Sequence, residues 1–265
     1  MTGEPNEVSC SNEFASITVI VPQWAVSTRV TVLSTTRLGG VSQAPFDTLN
    51  LGLHVNDNHE HVHQNRARLI DSFALPEPPR WLNQTHSSDV IKLENEHGST
   101  TNGCSADGVW TTRTDTVAAV LTADCLPVVL SDIDGAQIAV VHAGWRGLAG
   151  GILQNALSTF AHNTDVHAWL GPAIGPTAFE VGEDVRQRFV RHNAQLESEF
   201  VKTDNNGKYR ANLYGLARAQ LNSERSVTVT GGDYCTYSQA NLFHSHRRDG
   251  VRSGRMATIA WISNA

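Results

Sequence analysis

Residues 116–147 read Thr-Val-Ala-Ala-Val-Leu-Thr-Ala-Asp-Cys-Leu-Pro-Val-Val-Leu-Ser-Asp-Ile-Asp-Gly-Ala-Gln-Ile-Ala-Val-Val-His-Ala-Gly-Trp-Arg-Gly. Three short runs within it, 117–122, 126–131 and 137–142, are rich in Val, Ile, Leu and Ala, and polar residues, Gly and Pro separate them. That pattern predicts three strands joined by tight turns. Downstream, a Gly-rich loop opens a helix near 148–162, with Ile152, Leu153, Ala156, Leu157 and Phe160 on one face. A strand over 166–170 and a Gly/Pro turn over 171–176 follow, then helices over 183–200 and 213–222 and strands near 226–230 and 256–262. Upstream lie strands at 17–21 and 29–34 and a Gly-rich turn at 37–42. A helix near 60–74 comes next, with Val62, Arg66, Leu69, Ile70 and Phe73 on one face and Pro76 beyond it. Residues 81–94 read as extended. Strands and helices interleave without a regular βαβ period, repeat or linker. The expectation is a single α+β domain over 16–265, with mixed sheets flanked by helices, behind a flexible polar lead-in over 1–15.

Composition bounds the function. The chain has 265 residues, 40% of them apolar and 17% charged, and a net charge of −6. A chain of this length buries roughly three quarters of its unfolded surface and needs no staple to fold. The acidic balance argues against a broad grip on nucleic acid. No apolar run reaches the ~18–20 residues of a membrane span. The start, Met1-Thr2-Gly3-Glu4-Pro5-Asn6-Glu7, is acidic where a secretory signal is basic. The expected location is the cytoplasm, with no membrane or nucleic-acid partner. Cys10, Cys104, Cys125 and Cys235 form no Cys-x-x-Cys pair, and free thiols fit better than a disulfide framework. The 12 histidines favour metal or acid–base chemistry.

Reactive residues sit beside Gly or Pro at three predicted strand ends: Gln84-Thr85-His86, Ala123-Asp124-Cys125-Leu126-Pro127 and His142-Ala143-Gly144-Trp145-Arg146-Gly147. Cys125 lies 39 residues after His86 and 17 before His142, which matches no short metal signature. The residue types carry the inference. His86, Cys125 and His142 offer two imidazoles and a thiolate, a three-ligand set that leaves a fourth position open as in catalytic zinc sites. Copper accepts the same donors. The alternative is that Cys125 is a small buried apolar residue and the histidines are satisfied polar groups.

Other candidates are weaker. Arg146, in a Gly-rich turn before a predicted helix, suits an anion, and an ordinary surface arginine fits as well. Arg37, beside Gly39-Gly40, and Arg247, near Gly254-Arg255, are open to the same two readings. Asp107 and Asp124 are candidate acids or bases, and Asp124 could instead hydrogen-bond a ligating histidine. His59, His61 and His63 fit a solvated helix start better than a second metal site.

Read in order, Arg37-Leu38-Gly39-Gly40-Val41-Ser42, Asn50-Leu51-Gly52, Gln84-Thr85-His86, Thr122-Ala123-Asp124-Cys125-Leu126-Pro127, His142-Ala143-Gly144-Trp145-Arg146-Gly147, Gly171-Pro172-Ala173-Ile174-Gly175-Pro176 and Arg247-Arg248-Asp249 resemble the YfiH-like family. That family is also called the laccase-domain or polyphenol-oxidase family and peptidoglycan editing factor. The resemblance implies an α+β layered sandwich and a zinc-dependent purine nucleoside phosphorylase acting on adenosine, inosine and methylthioadenosine. It also implies adenosine deamination. Its metal ligands fall on His86, Cys125 and His142. Cys125, His142, Asp124 and Arg146 are then the expected catalytic residues. Arg37, Asn50, Arg146 and Arg247 are the expected groups for nucleoside and phosphate, in a monomer or homodimer. Ser87 departs from the family's glycine after the first ligand. Two rival activities are a copper polyphenol oxidase and a cysteine hydrolase of peptidoglycan precursors, using Cys125 with His142.

Overall fold

In the computed structural model of the chain, which describes residues 7–9, 16–93, 104–224 and 226–264, the three central runs are strands buried along their whole length: Ala118–Thr122, Leu126–Asp132 and Ile138–Ala143. The first joins a five-stranded sheet in the order Glu7–Ser9, Thr18–Ile20, Val30–Thr35, Met256–Ile262, Ala118–Thr122. The other two lie inside a six-stranded sheet in the order Thr228–Gly231, Val166–Leu170, Leu126–Asp132, Ile138–Ala143, Gly108–Thr111, Val90–Lys92. The six-stranded sheet is mixed. Its outermost pair at each end is parallel and its inner pairs are antiparallel.

The period of two along each strand sorts side chains into layers. Val129, Val140 and Trp169 of the six-stranded sheet meet Val32, Val120 and Ala260 of the five-stranded sheet in one apolar cluster between the sheets. The alternate residues Val128, Leu130, Ala139 and Val141 face outward, against Leu148, Ile152, Leu153 and Ala156 and against Leu216, Ala217 and Leu221 of helix Leu213–Glu224. On the far side, Ala119, Leu121 and Ile259 pack against Leu69 of helix His59–Phe73. The result is a layered α+β sandwich, helix on sheet on sheet on helix. Strands covered on both faces explain why their sequences are continuously apolar.

The structure revises several elements. The helix expected over 148–162 is two short helices, Trp145–Ala149 and Ile152–Leu157, interrupted at Gly150-Gly151. The helix expected over 183–200 ends at Val190, and a 3-10 helix follows over Ala194–Glu199, because Asn193 caps a new start by accepting the Gln195 N–H. A three-stranded sheet of Glu180–Gly182, Lys208–Ala211 and Phe200–Lys202 escapes the hydrophobic pattern because its strands are short and partly exposed. Within the lead-in, Glu7–Ser9 pairs with Thr18–Ile20; the rest of 1–15, Cys10 included, lies outside the described residues. Among the described residues no helix is long and apolar enough to cross a membrane.

One buried amide ties helix His59–Phe73 to the loop beside it. Asn65 is fully buried. Its Oδ1 accepts the Val41 N–H at 2.8 Å, and its Nδ2 donates to Ser42 Oγ at 2.9 Å and to the Asn50 carbonyl at 2.9 Å. Removing it leaves several buried groups unpaired. Asn65→Ala is expected to lower the unfolding free energy by about 2–3 kcal/mol, read by denaturant titration. A change below about 0.5 kcal/mol, as at an ordinary surface position, would show that the loop is held elsewhere.

Candidate metal centre

The chain crosses from the five-stranded to the six-stranded sheet through residues 123–125, and Cys125 sits at that crossing. His142 lies on the neighbouring strand, opposite Pro127. His86 arrives on an extended segment that Gln84 fastens to the edge strand: its side chain accepts the Leu121 N–H at 2.7 Å and donates to the Leu121 carbonyl at 2.8 Å. The ligand atoms of His86, Cys125 and His142 all lie within 4.8 Å of one another. His86 Nε2 is 4.0 Å from Cys125 Sγ, and the two rings meet edge to face at 4.9 Å. Three residues far apart in sequence thus converge, and they could hold a metal ion. Gly144 makes room for them. A Cβ there would stand 2.9 Å from Cys125 Sγ and 3.3 Å from His86 Cδ2.

Asp107 organises the cluster. Its buried carboxylate accepts from His142 Nδ1 at 2.8 Å, which turns the other ring nitrogen toward the cluster. It also accepts the backbone N–H groups of Thr85, His86 and Ser87 at 3.1, 3.0 and 2.6 Å. Burial pushes this carboxyl up, but the His142 hydrogen bond and the Ser87 N–H outweigh it and hold the group near 2. Burial likewise pushes the Cys125 thiol up, and the charge and hydrogen bond of His142 overcome it to bring the thiol down to about 6. Burial lowers His142, yet Cys125 and Asp107 raise it to about 9. Without a metal, both shifts favour a thiolate beside an imidazolium, the form in which the sulfur ligates.

Asp124 holds the crossing. Its backbone is left-handed, with φ 91°. Its carboxylate accepts from Thr236 Oγ1 and from the Arg247 N–H, both at 2.6 Å, and its carbonyl accepts the Ile174 N–H at 2.9 Å. The hydrogen bond to His142 belongs to Asp107 and not to Asp124. His86 is left-handed too, with φ 60°, and its N–H bond to Asp107 holds it in that unfavourable region.

The cluster forms one end of a cleft of about 780 Å³, whose wall includes Leu53, Trp81, Leu82, Leu121, His54, His63 and His246. Arg37, Arg146 and Arg247 are not among the lining residues. Arg37 pairs with Asp47 at 3.2 Å. Arg146 is exposed and lies over the Trp145 ring at 4.4 Å. Arg247 donates to the Glu180 carbonyl and lies over Phe179. Asn50 is fully buried and is occupied by Asp57, Gly52 and Arg255. The cations that do line the cleft are Arg66 and Arg255. Arg66 carried a signal in the sequence, an arginine in line with Val62 and Leu69 on an apolar helix face. His63 alone of the His59, His61, His63 group reaches the cleft.

Comparison with known proteins agrees with this architecture. Residues 31–263 match the family described as multi-copper polyphenol oxidoreductase laccase. The Escherichia coli protein named purine nucleoside phosphorylase YfiH is 45% identical over 245 residues, covering 92% of this chain and 98% of the relative. A Pseudomonas aeruginosa protein also named purine nucleoside phosphorylase is 42% identical, with the same coverage. Among solved structures, a Neisseria meningitidis protein superimposes with a TM-score of 0.85 at 40% identity, covering 93% of this chain and 99% of that one. Motifs, sandwich and full-length similarity together make the chain a member of the YfiH family, the laccase-domain family.

Proposed function

We propose that this cleft phosphorolyses purine nucleosides. Inorganic phosphate attacks the ribose C1′, and the bond from C1′ to N9 breaks. Its electron pair leaves with the purine, which takes up a proton, giving free base and ribose 1-phosphate. Adenosine, inosine and methylthioadenosine are the substrates of this reading. The observation that carries it is the His86, Cys125, His142 cluster opening on a cleft walled by Trp81, Leu53, Leu82 and Leu121. A flat purine and its ribose suit such a wall, and the cluster supplies the polar end. The names of the full-length relatives support the same activity.

Two imidazoles and a thiolate suit zinc with one coordination position left open. Bound by His86, Cys125 and His142, zinc would supply a Lewis acid at the polar end of the cleft. The chain's own groups prepare that end. Asp107 fixes the His142 ring and the backbone of the His86 turn, and Asp124 positions the crossing that carries Cys125. The apolar wall limits water around the ribose. The same cleft is read as deaminating adenosine, with water replacing the C6 amino group and ammonia leaving.

Copper accepts the same donors, but multicopper oxidation draws on several centres. Among the described residues, one group of three or more ligands has suitable spacing. Cys125 and His142 also have the composition of a hydrolase nucleophile and base, yet a second imidazole 4.0 Å from the same sulfur favours ligation.

Incubation with inosine should release hypoxanthine and ribose 1-phosphate only when phosphate is present, from protein that carries zinc. Oxygen uptake on a phenol by copper-loaded protein, without base release, would overturn the reading. So would hydrolysis of peptidoglycan precursors alone. His142→Ala is expected to abolish both metal content and turnover. Asp107→Asn should reduce metal affinity or turnover by about 10–100-fold, measured by metal analysis alongside the inosine assay.

A further inference from the structure

Arg66 and Arg255 are set apart by lining the cleft while held, like Arg218 elsewhere in the chain, by neutral carbonyls. Arg37, Arg80, Arg186 and Arg248 each pair with a carboxylate. Among the described residues, neither Arg66 nor Arg255 has a carboxylate within salt-bridge reach. Their hydrogen-bond partners are neutral carbonyls, and the Arg66 guanidinium also lies over the Trp81 ring at 4.2 Å. Arg66 Nε and Nη2 donate to the Leu51 carbonyl at 3.0 and 2.8 Å. Arg255 Nη1 donates to the Ser253 and Gly254 carbonyls at 2.8 and 3.0 Å. Both are half-buried, and burial lowers both guanidinium pKa values, that of Arg66 to about 10. The charges of Cys125 and Asp124 reach Arg255, but neither guanidinium has a direct ion pair, and a cation withdrawn from water without one is costly. Each guanidinium keeps N–H donors that these carbonyls do not use.

One tripeptide sets both side chains. The Leu51 carbonyl holds Arg66, and the Leu51 N–H donates to the Arg255 carbonyl at 3.0 Å. Asn50 Oδ1 accepts the N–H groups of Arg255 at 2.8 Å and of Gly52 at 3.0 Å. A Cβ on Gly52 would stand 2.7 Å from Arg255 Cγ, so only glycine lets that side chain pass. Both arginines line the cleft that holds the ligand cluster. Partial burial, then the charges of Arg255, Arg66 and His142, hold His54 below its ordinary pKa, so the field of both guanidinia reaches the same wall.

We propose that Arg66 and Arg255 form the subsite for inorganic phosphate, held in place by Asn50-Leu51-Gly52. The assignment of the phosphate as attacking nucleophile rests on the phosphorylase reading of the cleft. A tetrahedral dianion supplies the direct ion pair that both lack and accepts the unused N–H groups. Leu51 and Gly52 act through the backbone, and Asn50 is a positioning residue.

The test is isothermal titration of inorganic phosphate into the metal-loaded protein, without nucleoside, followed by phosphorolysis of inosine at varied phosphate. Arg66→Gln and Arg255→Gln should each weaken phosphate binding at least about tenfold and raise the phosphate KM in parallel. Metal content and the thermal melting curve report whether each variant folds. Gly52→Ala removes no charge, yet should also weaken phosphate by displacing Arg255. Arg66→Lys should recover part of the loss. Unchanged phosphate affinity in folded, metal-loaded variants overturns the proposal, as does a loss confined to Arg146→Gln, or a wild type that binds no phosphate. If the wild type binds phosphate through these arginines but releases no base from inosine, the subsite stands and the phosphorylase reading fails.

Discussion

A single buried carboxylate, that of Asp107, joins the two halves of the candidate metal centre. One side of it takes the His142 imidazole at 2.8 Å, and both oxygens together take three consecutive backbone N–H groups around His86. His142 is rigid because it belongs to an interior strand. His86 is not on a strand, and its left-handed backbone is an unfavourable choice for a residue with a Cβ. The carboxylate transfers the precision of the sheet to that turn. An ionised carboxylate so deeply buried is sustained only by this number of donors.

Cys125 is placed by a different device. The layered sandwich requires the chain to pass from one sheet to the other, and Asp124 fixes the passage by gathering Ile174, Thr236 and Arg247 around one residue. The centre therefore lies at the crossing between the two sheets, beyond the end of strand Ala118–Thr122. That is where a cleft can form without removing any of the apolar contacts between them.

The layers were legible in the sequence because hydrophobic period and continuity are local signals. The runs over 117–122, 126–131 and 137–142 became strands with nearly the expected limits, and the helix expected over 60–74 is His59–Phe73. Two helices were read too long because Gly150-Gly151 and Asn193 act locally, within an apolar pattern that runs on past them. The convergence of His86, Cys125 and His142 into a group that could hold a metal was legible from residue chemistry beside Gly and Pro. The arginines of the cleft were not, because whether an arginine meets a carboxylate depends on partners far away in sequence. Arg37 beside two glycines looked available and is engaged by Asp47. Arg66, on an apolar helix face, looked like part of the core stripe and lines the cleft. Asn50 looked like a contact to a ligand and is instead a buried brace.

The strand Met256–Ile262 occupies the interior of its sheet, with Ala260 paired to Val32 on one side and to Ala118 on the other. During synthesis, the strands that will flank it emerge long before it does, and they must wait with their inner edges open. Pairings this distant along the chain close slowly. Arg255 immediately precedes that strand, so one wall of the cleft is set by pairings between segments far apart in the chain. Completion of the cleft beside His86, Cys125 and His142 therefore depends on long-range strand pairing rather than on the local turns that carry those three residues.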